Sequence, residues 1–150
     1  MITIEIVAAG KIKDEHIRKA IEEYKKRLGR YCNLLITEVP DFPDDKNSTE
    51  RECALMMPKI KGVCVPLCIE GKQLTSEELS GFISDCAAGG NSHITFVIGG
   101  SCGLSDKIKN KGHLRLSFSK MTFPHQLMRL ILLEQIYRSF KITNGEAYHK

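Results

Sequence analysis

Residues 93–104 read HITFVIGGSCGL, and this stretch decides the fold. Residues 94–98 form a run of strand length that is apolar except for Thr95, which is typical of a strand buried on both faces of a sheet. The glycine-rich segment 99–103 follows directly, and because glycine has no Cβ its backbone can turn sharply or approach a ligand closely. The spacing matches neither the dinucleotide-binding fingerprint nor a phosphate-binding P-loop. The segment therefore indicates either a plain tight turn or a loop that binds a ligand other than a nucleotide phosphate.

Strand-like and helix-like patterns alternate outward from this strand along the chain. Apolar runs and alternation predict strands over residues 2–8, 34–39, 63–69, 94–98 and 114–118, although Pro66 weakens the third, since proline cannot donate to a ladder. Helical spacing and capping signals predict helices over 17–28, after the Thr49–Glu52 capping box, over 79–87 behind the Thr75–Glu78 box, over 105–110 and after Pro124. We predict one α/β domain over residues 1–150, with a mostly parallel sheet and helices on both faces.

Three loops follow strands in the second half of the chain, at residues 69–73, 99–104 and 118–123. In open α/β sheets, ligands bind beyond the carboxyl ends of the strands, so these loops are candidates for one binding site. Phe118, Met121 and Phe123 are apolar where loops are usually polar. Such residues could sandwich an adenine ring, and the alternative is a loop tucked into the core.

Charge is distributed unevenly along the chain. The net charge is only +4 over 150 residues, but residues 107–150 carry nine Lys/Arg against two Asp/Glu. A basic C-terminal third favours a polyanionic partner, with an ordinary solvated surface as the equally weighted alternative. No apolar run approaches the ~20 residues that cross a bilayer, and no secretory signal is visible, so we expect a cytoplasmic protein with no membrane contact.

The six cysteines do not indicate a metal or disulfide framework. None forms a C-x-x-C pair, so a zinc site is not expected, and without a secretory signal the even count does not predict disulfides. Small buried hydrophobic side chains are the preferred interpretation. The histidines His16, His93, His113 and His125 are scattered, and no metal role is assigned to them.

The last eight residues are polar but carry two side chains with useful chemistry. Tyr148 can stack on a base, and His149 can donate or accept a proton. A frayed terminus is the ordinary alternative for a segment in this position.

Five sets of residues occur at collinear spacing across the chain. They are Val7-x-x-Gly10-Lys11, Leu67-x-Ile69-x-Gly71-Lys72, the segment 96–104, the segment 116–126, and the segment 136–142 followed by Tyr148-His149. Together they make the chain resemble the RlmH (YbeA) family of SPOUT methyltransferases, over essentially its whole length.

The resemblance implies an S-adenosyl-L-methionine-dependent enzyme with a SPOUT-type α/β fold, a deep C-terminal trefoil knot and a homodimeric state. It implies methylation of N3 of a pseudouridine, at position 1915 in helix 69 of the large-subunit rRNA, on assembled ribosomes. RNA binding would also explain the excess of Lys and Arg in the C-terminal third, because phosphate contacts supply most of the nonspecific affinity for RNA.

The resemblance also implies where the site residues lie. Catalytic or RNA-facing roles fall on Arg138, Tyr148 and His149, with the tail reaching the pocket of the other protomer and His149 as the first candidate for the base. Cofactor contacts fall on Leu67, Gly99, Phe118, Ser119, Lys120, Met121, Thr122 and Phe123.

One departure from the family and two rival functions bear on these expectations. Cys68 stands where many relatives carry an acidic residue, so a carboxylate contact to the cofactor is in doubt at that position. The rivals are a ribosome-associated binding module that transfers no methyl group, and a SPOUT enzyme with another target such as a tRNA base. The small size of the chain argues mildly against the second rival, because no extra RNA-binding domain is attached.

Overall fold

The computed structural model describes residues 1–150 and contains five strands and five α-helices. The strands are β1 (Thr3–Ala9), β2 (Asn33–Val39), β3 (Val63–Gln73), β4 (His93–Ile98) and β5 (Leu116–Ser117). The helices are α1 (Glu15–Leu28), α2 (Ser48–Met56), α3 (Ser76–Ala88), α4 (Asp106–Lys111) and α5 (His125–Thr143), with a 3-10 turn at Met57–Lys59 after α2. All pairings are parallel, in the order β2-β1-β4-β3-β5, which confirms the predicted α/β class.

Helices cover both faces of the sheet because the central strands are apolar on both sides. Phe96 of β4 packs into a core that β1 shares with α1, α3 and α5. Its neighbour Val97 packs into a second core on the opposite face, with α2 and α4. Residues 94–98 are therefore in a strand buried on both faces, as predicted. None of the five helices combines the length and the apolar character needed to cross a bilayer.

One of the two predicted capping boxes forms and the other does not. Thr75 accepts a hydrogen bond from the Glu78 amide at 3.0 Å, and the Thr75 amide donates to Glu78 Oε1 at 2.8 Å, so α3 begins as predicted. The prediction at Thr49 was wrong, because α2 begins at Ser48 behind Asn47 and no side chain caps it. Glu52 is buried instead, where its carboxylate accepts a hydrogen bond from the Phe42 amide at 3.2 Å.

Strand β3 is longer than predicted, and the predicted loop at residues 69–73 belongs to it. The strand runs to Gln73, but Leu116 of β5 lies opposite both Leu67 and Lys72, so the residues between these two bulge out of the ladder. Gly71 makes this possible, because a Cβ there would lie 2.8 Å from the carbonyl carbon of Arg115. The segment therefore still presents loop-like side chains at the edge of the sheet, although it is a strand.

Strand β5 is shorter than predicted, since only two residues of the expected segment 114–118 join the ladder. The chain just before it is tied to α4 instead. The Arg115 guanidinium donates to the backbone oxygen of Lys109 at 3.1 Å and to Asn110 Oδ1 at 3.0 Å.

Pro66 is tolerated in β3 because its nitrogen faces away from the strand ladder with β4. Cys64, on the same side of the strand, exchanges both of its backbone hydrogen bonds with His113 rather than with a strand. Pro66 then packs on Gly112, where a Cβ would come within 2.6 Å of the proline ring. A missing donor costs nothing at this position, since no strand acceptor faces it.

Arg129 fastens α5 to the carboxyl ends of β1 and β2. Its side chain is 3% exposed, pairs with the Glu38 carboxylate, and donates to the Gly10 carbonyl at 3.0 Å. The Nε atom of Arg129 is buried without a hydrogen-bond partner. The stability of the buried guanidinium therefore depends on Glu38.

We expect Glu38→Ala to lower the free energy of unfolding by about 2 kcal/mol, since it leaves a buried charge with one hydrogen bond. Urea denaturation followed by circular dichroism measures this. Glu22→Ala is the matched control, because it breaks only the exposed pair with Lys25 and should cost less than about 0.5 kcal/mol. Equal losses in the two variants would contradict the proposed fastening role.

Candidate functional site

A cleft of about 690 Å³ opens beside the bulge of β3 and beyond the ends of β4 and β5. The three predicted segments line it together, as expected for a sheet whose strands run in one direction. Seven of the eight residues to which the resemblance assigns the cofactor lie on its walls: Leu67, Gly99, Phe118, Ser119, Met121, Thr122 and Phe123. The eighth, Lys120, is exposed and lies outside the lining.

The floor of the cleft is apolar. Ile98, Leu104 and Leu116 line it and are at most 7% exposed, so they offer a flat ligand no hydrogen bonds but a dry surface. Burial of apolar ligand area on such a surface is worth about 25 cal/mol per Å². This arrangement suits an aromatic ring that is kept out of water.

The glycine loop after β4 is folded too tightly for side chains. A Cβ on Gly99 would lie 2.4 Å from the Gly103 carbonyl oxygen, and Gly103 has a positive φ of 80°. The turn is closed by the Gly103 amide, which donates to the Gly100 carbonyl at 3.0 Å. The two glycines therefore keep the backbone of this loop folded on itself at the wall of the cleft.

Serine side chains hold the loop between β5 and α5. Ser117 Oγ donates to the Ser119 carbonyl at 3.0 Å, and Ser119 Oγ accepts from the Met121 amide at 2.9 Å. The loop is thus shaped by its own hydrogen bonds, while Met121 remains 74% exposed at the rim. Of the predicted loop 118–123, Phe118 packs against the core, but residues 120–122 are exposed, so the loop as a whole is not tucked into the core, which was the alternative considered from the sequence.

Two charged side chains that the sequence interpretation missed line the cleft. Glu70 projects from the bulged part of β3, and Lys109 reaches it from α4, with Nζ 2.5 Å from the carboxylate. The hydrogen bond from Lys109 holds the pKa of Glu70 below its usual range, so the carboxylate is ionised. Nothing in the sequence pattern joins residues 70 and 109, since their proximity depends on the bulge.

Cys68 lies on the same wall and offers no charge of its own. Burial, followed by the nearby Glu70 carboxylate, raises the pKa of its thiol. It therefore stays neutral near pH 7, and the carboxylate on this wall is that of Glu70, two residues on. All six cysteines are free, and no group of three or more potential metal ligands lies together.

The three predicted catalytic residues come together, but away from the cleft of their own chain. Arg138 donates to Glu134 at 2.8 Å and to His149 Nδ1 at 3.1 Å, and the Tyr148 hydroxyl donates to Glu134 at 2.8 Å. The Arg138 guanidinium also lies over the Tyr148 ring, 4.8 Å from its centre. The tail is therefore docked on α5 rather than frayed, and none of the three residues lines the cleft.

The hydrogen bonds of His149 define its tautomer. A guanidinium only donates, so Nδ1 of a neutral His149 accepts from Arg138. The proton then sits on Nε2, which donates to the Glu77 carboxylate on α3. In this arrangement the one basic lone pair of the imidazole is already in use.

Tyr148 is held as a hydrogen-bond donor. Burial, with hydrogen bonds to Tyr24 and Glu134, raises the pKa of its hydroxyl. Its ring packs edge-on against Tyr137 with centres 5.0 Å apart. The tyrosine therefore anchors the tail and keeps its proton at any physiological pH.

Comparisons with known proteins agree with the fold. The family model described as "Predicted SPOUT methyltransferase" matches residues 2–149. Two solved structures share the fold at low identity. A probable methylase family protein from Haemophilus influenzae matches with a TM-score of 0.60 and 14% identity, over 98% of this chain and 70% of its own. A putative methylase family protein from Neisseria gonorrhoeae matches with a TM-score of 0.57 and 13% identity, over 98% of this chain and 85% of its own.

Sequence relatives are much closer. The ribosomal RNA large subunit methyltransferase H of Clostridioides difficile (strain 630) is 48% identical, over 99% of this chain and 100% of its own length. The protein of the same name from Clostridium botulinum (strain Langeland) is also 48% identical over the same shares. The resemblance inferred from the motifs is confirmed: the chain belongs to the SPOUT methyltransferases and, within them, to the ribosomal RNA large subunit methyltransferase H family.

Proposed function

We propose that this chain is an S-adenosylmethionine-dependent methyltransferase that acts on N3 of a pseudouridine, at position 1915 in helix 69 of the large-subunit rRNA, in assembled ribosomes. The names of its relatives support the large-subunit rRNA as substrate. The single observation that carries the proposal is the cleft, in which three separate segments meet over an apolar floor.

The residues present fit S-adenosylmethionine. The apolar floor and Phe118 suit the adenine ring, and the tightly folded Gly99 loop leaves room for a ligand against its backbone. Leu67, Gly99 and the segment Phe118–Phe123 would hold the cofactor, with Lys120 of that segment exposed outside the lining of the cleft. When bound, the cofactor supplies an activated methyl group on its sulfonium.

The chain must then orient the base and handle one proton. The N3–H of pseudouridine is a weakly acidic imide, and its proton has to leave before or during attack. We propose that His149 accepts this proton as general base. Arg138 would stabilise the negative charge that develops on the imide or contact a phosphate of the RNA. Since Arg138 occupies Nδ1 of His149 in the docked tail, base catalysis requires this hydrogen bond to open.

A second protomer would bring the tail to a cleft. Helix α5 is apolar on several faces, and Leu127, Leu130 and Ile131 remain only half-buried. Met121 is 74% and Ile69 is 49% exposed at the cleft rim. Covering these side chains favours a homodimer in which each tail completes the partner's site. The knotted chain path and the cytoplasmic location are part of the same proposal.

Transfer of labelled methyl groups tests the reaction and the substrate class. Assembled ribosomes that lack the modification, separated large subunits and tRNA are each incubated with the protein and labelled S-adenosylmethionine. The proposal predicts label in large-subunit rRNA of assembled ribosomes. Label in tRNA would favour the rival target, and cofactor binding without transfer to any of these would favour a binding module.

A further inference from the structure

The charges at the cleft are few and are paired with each other. Among the residues that line the cleft, Glu70 is the only carboxylate and Lys109 the only lysine or arginine. Their side chains lie 2.5 Å apart, one from β3 and one from α4. Every other lining residue is apolar, glycine, small and polar, or His125.

The pair lies at the rim and not on the floor. The Glu70 side chain is 55% exposed and that of Lys109 21%, whereas the apolar floor is almost fully buried. A surface ion pair of this kind contributes little to stability, about 0–1 kcal/mol. Both groups are therefore available to exchange partners with a ligand at small cost to the fold.

We propose that Glu70 and Lys109 bind the amino-acid end of the cofactor, with the carboxylate of Glu70 accepting from its ammonium and the ammonium of Lys109 donating to its carboxylate. This inference rests on the proposed function. A zwitterion presents one charge of each sign, as the pair does. A ribose diol would need only the acceptor and would leave Lys109 without a role in binding.

The expected effect is moderate because the site is partly wet. A charge-assisted hydrogen bond is worth roughly twice a neutral one, and solvent at a half-exposed carboxylate reduces that. We therefore expect each single substitution to weaken binding of the amino-acid end by about fivefold to tenfold. The adenosine end should be unaffected, since neither side chain belongs to the floor.

Two ligands that differ only in this end make the test. Calorimetric titration compares S-adenosylhomocysteine, which carries the zwitterion, with 5′-methylthioadenosine, which lacks it. The proteins are the full-length wild type, Glu70→Gln, Lys109→Met and the control Glu22→Gln, which alters only an exposed pair on α1. Thermal unfolding of each variant shows whether the fold is kept.

The inference predicts that Glu70→Gln and Lys109→Met weaken S-adenosylhomocysteine binding by about fivefold to tenfold and change methylthioadenosine binding by less than about twofold. Equal losses for both ligands would overturn it in favour of a ribose contact. No loss for either ligand would also overturn it. Failure of the wild type to bind either ligand would instead count against the proposed function.

Discussion

Gly99→Ala is expected to lower methyl-transfer turnover by about 100-fold and to weaken cofactor binding, because the new Cβ displaces the backbone that walls the cleft. That Cβ would lie 2.4 Å from the Gly103 carbonyl oxygen and 3.0 Å from the Leu104 amide nitrogen. Ordinary contact needs about 1 Å more, and a displacement of that size at a reacting site costs about 100-fold in rate. The turn can move, since Ser101, Cys102 and Gly103 are exposed, so we expect the protein to stay folded.

Gly81→Ala is the matched control for this variant. Gly81 lies inside α3, and nothing comes within 4 Å of its Cβ position, so the substitution should preserve activity and raise stability slightly. Calorimetric titration with S-adenosylhomocysteine, single-turnover methylation and thermal unfolding are measured on both proteins. Wild-type affinity and turnover in a folded Gly99→Ala protein would contradict the assignment of the cleft to the cofactor.

The second large effect is expected in the tail. His149→Ala should lower turnover by about 100-fold, the lower range for losing a general base, and Arg138→Ala should lower turnover or RNA affinity. Cofactor affinity should change by less than about twofold in both, because neither residue lines the cleft. Full turnover of His149→Ala on ribosomes would remove the base assignment. Wild-type turnover and RNA affinity of Arg138→Ala would remove both of its proposed roles.

Mixing variants tests whether a tail serves the partner's cleft. A dimer of one Gly99→Ala chain and one His149→Ala chain has one intact cleft and one intact tail on different chains. If the tail acts on the partner, an equal mixture should recover about a quarter of wild-type turnover, since half of the dimers are mixed and one of their two sites is complete. No recovery would show that each tail serves its own chain.

The sequence predicts the architecture because hydrophobic period is a local property, and strands and helices alternate along the chain. Residues 94–98 are apolar except for Thr95, and the strand they form is buried on both faces. The errors occur where a distant contact overrides a local signal. Thr49 and Glu52 have the spacing of a capping box, but Glu52 is buried against the Phe42 amide and cannot reach back.

Some parts of the candidate site could be predicted from sequence motifs, and others depend on contacts that only the fold creates. The glycine loop and the apolar loop 118–123 are visible as motifs, and both line the cleft. The Glu70–Lys109 pair is not visible as a motif, because it depends on the bulge of β3 that Gly71 permits beside Arg115. The docking of Tyr148 and His149 onto Glu134, Arg138 and Glu77 likewise joins segments that no spacing rule connects.

The central claim is that this cleft and tail together methylate one nitrogen of one nucleotide. The most direct measurement is to digest rRNA from ribosomes methylated by the protein and to identify the modified nucleoside by mass spectrometry, with primer extension to locate it. The account predicts N3-methylpseudouridine in helix 69, with a primer-extension stop, because a methyl on N3 blocks the pairing face. A methyl group on another atom of that base, or on another nucleotide, would contradict it.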